Sequence, residues 1–249
     1  EGGGEMSAHS FSALFFLCLL LTRVNVSGND KEANSMVRDA LSKIRACPAY
    51  RLTRSLEAEL APGSSGAMMP VKITETAVML VVRTGDVIRA HETSTIRECI
   101  APLRFFSRGS KETKTTVWDG SWIYSWGPSN SGTKMVDADI NRGAAIVETL
   151  YAAILKDDSL RLRNEESVAG QSCVLLESSA EILTSFLYIP GRVAILLNRN
   201  TGVPVKISVQ NQKSKATIDY APVETDPVYR PDIFVPPTSI VFESIQGQE

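Results

Sequence analysis

The chain has 249 residues, of which 43% are apolar and 22% charged, with a formal net charge of −2 and a pI near 5.9. That length and composition suit one large domain with a buried core. A near-neutral chain without a long Lys/Arg cluster excludes recognition of DNA or RNA through the phosphate backbone.

The N-terminal segment carries a targeting pattern. From Met6 onward, an uninterrupted apolar run extends from Ala13 to Leu21. This suits the core of a signal peptide and falls well short of the roughly 20 residues that span a bilayer. Val26 and Gly28 are small residues placed where a signal peptidase reads. The expectation is therefore a leader over residues 1–28, export to the periplasm, and a single mature domain over 29–249. Cys18 follows the bulky Phe15, Phe16 and Leu17, where a lipobox needs a small residue, so it reads as apolar filler. The mature chain then holds Cys47, Cys99 and Cys173, an odd number that allows at most one internal disulfide. Their spacing fits no zinc site.

Met36, Val37, Ala40, Leu41 and Ile44 recur at helical spacing, with Asn29 or Asp30 as the cap and Pro48 as the stop. The period then changes to two, which predicts strands over 50–60, 71–83 and 86–97, with 61–70 as a flexible connection. Next comes "KTTVWDGSWIYSWGP" (114–128), which holds three tryptophans and a tyrosine. Asp119-Gly120 predicts a two-residue type I′ turn that pairs Val117 with Trp122. Val117, Trp122, Tyr124 and Trp126 then share one aromatic face, and the opposite face is mostly polar. Such a face either fills a core or lines a pocket, because both draw on the same residue types.

From Asp139 to Asp157, Ile140, Ala144, Val147, Leu150, Tyr151, Ile154 and Leu155 form the apolar stripe of a second helix, with Asp139 as its cap. Strands resume in "QSCVLLESS" after a turn at Ala169-Gly170. A hairpin follows, "GRVAILLNRN" and "VPVKISVQN", turning at Thr201-Gly202, and then a strand in "KATIDYAP". The proline-rich tail carries no helical signal.

This order of elements resembles the LolA/LolB-like lipoprotein carrier family. The segments that carry the resemblance are "VWDGSWIYSWGP", "VAGQSCVLLESS", "RVAILLNRNTGVPVKISV" and "YRPDIFVPP". Asn198 stands where that pattern often has an acidic residue. The resemblance implies an α+β fold: a strongly curved, unclosed antiparallel sheet, a half-barrel, with helices covering its concave apolar face. It further implies a cavity for a lipid or the acyl chains of a lipoprotein. Val117, Trp122, Tyr124 and Trp126 would line it from the sheet, and Val147, Leu150, Tyr151 and Ile154 from a helical lid.

Catalytic chemistry finds no foothold in the sequence. His91 is the only histidine beyond the leader and falls on the polar parity of its strand, where it reads as solvent-facing. There is no G-x-S-x-G elbow, no phosphate-binding loop and no evident carboxylate pair. The expectation is a monomeric binding protein, not an enzyme, with no cofactor and no metal. The alternative is an envelope-stress sensor or protein-interaction module similar to RseB, with an envelope protein as partner.

Overall fold

The computed structural model describes residues 30–62, 70–100, 110–136, 146–157, 160–168, 170–178, 182–184 and 189–244. The expected leader and the Asp139 cap, with Ile140 and Ala144, lie outside them.

Helix α1 (Asp30–Ala46) forms where the spacing predicts it. Ala33, Val37, Ala40, Leu41 and Ile44 are all buried, one stripe of a 3.6-residue period. Lys43 and Arg45 occupy its last turn, where cations complement the helix dipole. Helix α2 (Ile146–Asp157) buries Val147, Tyr151 and Ile154, residues one and two turns apart.

The strands are β1 (Ala49–Leu60), β2 (Val71–Thr84), β3 (Val87–Ile100), β4 (Ser110–Trp118), β5 (Trp122–Trp126), β6 (Ser131–Val136) and β7 (Leu160–Val168). They continue with β8 (Gln171–Ser178), β9 (Ile182–Thr184), β10 (Ile189–Asn198), β11 (Pro204–Gln210), β12 (Lys215–Tyr220), β13 (Glu224–Thr225) and β14 (Val241–Ser244). They join in the order β14-β6-β5-β4-β3-β2-β1-β12-β11-β10-β8-β7, with β13 beside β1 and β9 beside β10. The pairs are antiparallel except β14 with β6, which is parallel. Among the described residues β14 and β7 end the series without pairing, so the sheet is unclosed, as expected. A short 3-10 turn, Pro231–Phe234, interrupts the tail.

Both faces of the sheet carry apolar residues, and different elements cover them. On the helix side, Tyr50, Leu52, Met79, Val81, Ala90, Trp118, Ile195 and Ile207 share one buried cluster with the stripes of α1 and α2. On the far side, Ala49, Leu80 and Val82 pack against Phe234. Cys173, Leu175 and Leu196 form a second far-side cluster.

The aromatic hairpin differs from expectation in its turn. The Asp119 N–H donates to the Trp122 carbonyl at 3.2 Å, so the turn centres on Gly120-Ser121, one residue later than predicted. Only Gly120 has positive φ (+105°), the requirement of a type II′ turn rather than I′. The cause is the Asp119 carboxylate, which accepts the N–H groups of Ser121 and Trp122 at 2.8 Å each. Val117 therefore pairs with Tyr124, not with Trp122. A slip of two positions preserves parity, so Trp122, Tyr124 and Trp126 still share a face with Val117.

Candidate functional site

The last turn of α1 runs over the sheet towards the start of β1, and the two do not close on each other. Between them lies a cavity of about 340 Å³. Ile44 borders it from α1, Cys47 from the residue after that helix, Tyr50 and Leu52 from β1, Val147 from α2, and Val203 from the β10–β11 turn. Lys43, Asn200, Thr201 and Thr225 also line it and are exposed, so they mark the mouth. The rest of the lining is apolar apart from the Tyr50 hydroxyl and the half-buried Cys47 thiol.

Three local devices hold these walls in place. Gly202 has φ +73°, and a Cβ there would lie 2.8 Å from Ala40 Cα, so glycine lets the turn pack directly on the backbone of α1. The Gly202 carbonyl accepts the Tyr151 hydroxyl of α2 at 2.9 Å, which ties both helices to one turn. In the first turn of α2, buried Glu148 pairs with Arg83 of β2. Tyr50 lies beside that arginine. Burial pushes its hydroxyl up to about 12, and the Arg83 charge works against the rise.

Beside the cavity, and sharing Tyr50, Leu52 and Val147 with it, lies a separate space of about 10 Å³ that Arg54, Met79 and Tyr220 also line. Arg54 meets Glu75 at 3.2 Å and Glu92 at 3.4 Å, and all three side chains are nearly buried. Burial pushes the Glu92 carboxyl up; Arg54 opposes the shift and Glu75 adds to it. The buried Tyr220 hydroxyl has no hydrogen-bond partner among the described residues, and burial pushes its titration well upward.

The structure brings part of the predicted site together. Val147 lines the cavity, and Tyr151 and Ile154 are buried in the helix-side core beneath it. The Leu150 side chain lies outside the described residues. Val117, Trp122, Tyr124 and Trp126 are turned to the far side of the sheet. Their register row runs from Tyr124 through Val117 and His91 to Leu80, which belongs to the far-side cluster. There Phe242 of β14 stands edge-on to Tyr124 at 5.1 Å and to Trp126 at 5.8 Å, while the Lys134 ammonium lies over Trp122. The aromatics thus clamp the C-terminal strand. His91 is half-buried between Leu80 and Val117 rather than solvent-facing, and burial lowers its pKa from the ordinary 6.5.

Ile44, Tyr50, Leu52 and Val203 were not anticipated as cavity residues. The signal for two of them is the alternation of β1, where Tyr50 and Leu52 share a parity. Cys47 and Cys173 are free thiols, and they belong to clusters on opposite sides of the sheet. Among the described residues, no group of three or more Cys, His, Asp and Glu side chains is placed to hold a metal ion, and no helix is long and apolar enough to cross a membrane.

The chain is similar in fold to bacterial structures that include a lipoprotein and a lipoprotein-sorting domain. LprF from Mycobacterium bovis is 9% identical with a TM-score of 0.49, over 83% of this chain and 98% of that one. The Mycobacterium tuberculosis lipoprotein LppX is 10% identical with a TM-score of 0.42, over 81% and 99%. A domain named for outer membrane lipoprotein sorting, from Vibrio parahaemolyticus, is 9% identical with a TM-score of 0.28, over 83% and 97%. No family model and no curated protein matches the chain. What the cavity can hold is decided by its own residues.

Proposed function

We propose that the chain is an exported binding protein of the cell envelope that takes a lipid or an acyl chain into the cavity between its helices and sheet. The observation that carries this reading is the cavity itself: about 340 Å³, with Ile44, Leu52, Val147 and Val203 on its walls and, apart from the Tyr50 hydroxyl and the Cys47 thiol, polar side chains only at its mouth. That volume falls within the roughly 300–1,000 Å³ of small-molecule sites. In this reading α1 and α2 cover the concave side of a curved half-barrel, and the single domain acts as a monomer. Export is supported by the Ala13–Leu21 run.

The energetics fit a carrier. Moving about a dozen methylenes from water into an apolar cavity gains on the order of 10 kcal/mol, at ~0.8 kcal/mol each. The same chain leaving a bilayer gains almost nothing, since the membrane is equally apolar. Cargo is thus held against water and released to another apolar acceptor without a chemical step.

The test uses a dansylated fatty acid, whose emission rises in an apolar site. The protein is expected to bind it, and Thr225→Trp, which places an indole at an exposed part of the mouth, is expected to weaken binding about tenfold while the melting temperature stays within a few degrees. Absence of probe binding by the wild-type protein, or undiminished binding by the variant, would show that the cavity is not the site.

A further inference from the structure

The cavity also limits what kind of lipid enters it. An apolar cavity of about 150 Å³ accepts benzene, with six carbons. At about 340 Å³, this one has room for roughly a dozen carbons, one acyl tail rather than two or three. The neighbouring space across Tyr50, Leu52 and Val147 adds no length, because it holds about 10 Å³, a single water at most.

Charge sets the orientation. On the side of that neighbouring space Arg54 is matched by two carboxylates, Glu75 and Glu92, so an anionic head would meet excess negative charge there. At the mouth Lys43 carries the only charge among the described lining residues. Its ammonium donates to the Arg199 carbonyl at 2.8 Å, which holds it at the rim, and two of its three N–H donors remain to serve a ligand. Asn200, Thr201 and Thr225 place further polar groups on the same exposed edge.

Building on the carrier reading above, we infer that the cargo is a single-chain amphiphile of about a dozen carbons with an anionic head, bound tail-inward with the head at Lys43. A carboxylate and a phosphate monoester share the chemistry this requires.

The experiment is competition against the dansylated fatty acid by saturated fatty acids of about eight to about eighteen carbons. Dodecyl phosphate, dodecanol and a two-chain phosphatidylglycerol are run beside them. Affinity should rise up to about fourfold per methylene to roughly a dozen carbons and then level off. Laurate and dodecyl phosphate should each compete better than dodecanol, and their ranking identifies the head. Lys43→Glu, at an exposed position that leaves the core untouched, should weaken the anionic ligands about three- to tenfold and dodecanol much less. An affinity that keeps rising to eighteen carbons, a two-chain lipid that competes as well as laurate, or a Lys43→Glu variant with unaltered selectivity would each overturn this inference while leaving the carrier reading intact. Failure of the wild-type protein to bind the probe or any of these ligands would remove both.

Discussion

Asn198 shows how much one side chain can hold. Its Oδ1 accepts the N–H groups of Asn200 at 2.9 Å and Thr201 at 3.1 Å, which shapes the turn beside the cavity mouth. Its amide donates to Gln171 at 2.8 Å. A carboxylate could make the first two bonds and not the third, so asparagine suits this turn where the resembled pattern often has an acid. Arg54 is the residue with most at stake, because it compensates two nearly buried carboxylates. Arg54→Ala is expected to cost about 3–5 kcal/mol by leaving Glu75 and Glu92 unpaired. The pH dependence follows from the raised Glu92 pKa. Folding disfavours its charged form, so the native state binds a proton more readily than the unfolded chain. The penalty is present above the raised value and is relieved as pH falls through it towards the ordinary 4.5. Denaturation at a series of pH values should therefore find the Arg54→Ala deficit narrowing as pH falls through that window, and a constant deficit would exclude Glu92 as its source.

At the scale of elements, the docking of β14 against β6 depends on a space left by a glycine. A Cβ on Gly132 would lie 2.8 Å from the Phe242 ring, which stands between Tyr124 and Trp126. The aromatic concentration of the hairpin thus serves to hold a short parallel edge strand. Phe242→Ala removes two edge-to-face pairs at roughly 0.5–1.5 kcal/mol each, together with part of the ring's burial. It is expected to lower stability by about 2 kcal/mol in denaturant unfolding and to shift tryptophan emission to the red. Affinity for the dansylated fatty acid should not change, because this clamp and the cavity lie on opposite sides of the sheet. A loss of probe binding in this variant would put the hairpin back in the binding site.

For the whole molecule, a ligand that enters the cavity contacts α1, α2, β1 and the β10–β11 turn together, and so binds the folded state alone. At a free concentration about 100 times its Kd, such a ligand adds about 2.7 kcal/mol to stability. For a domain of this size that raises Tm by roughly 5–10 °C. Thermal unfolding with and without laurate measures it directly, and an unchanged Tm at saturating ligand would mean binding outside this core.

Much of this architecture was legible from residue order. The α1 stripe, the long β1–β3 meander and the Thr201-Gly202 turn follow from local periodicity and from the backbone freedom that glycine alone offers. The parity that groups Trp122, Tyr124 and Trp126 with Val117 is also local, and it survives the displaced turn. Which side of the sheet that group faces is not local. In β2 both parities are apolar, Met79 and Val81 against Leu80 and Val82, so alternation could not say which row meets the helices. In β3 the helix-side row even contains Glu92, whose burial makes sense only beside Arg54 of another strand. The sequence by itself determined the long elements and which residues of a hairpin share a face, because these depend on neighbours along the chain, while the exact turn of the aromatic hairpin and the short edge strands escaped it. Tertiary structure alone decided which face the helices pack against, that Phe234 and Phe242 of the tail pack on the other, and that a cavity remains beside α1, because each depends on packing between segments far apart in sequence.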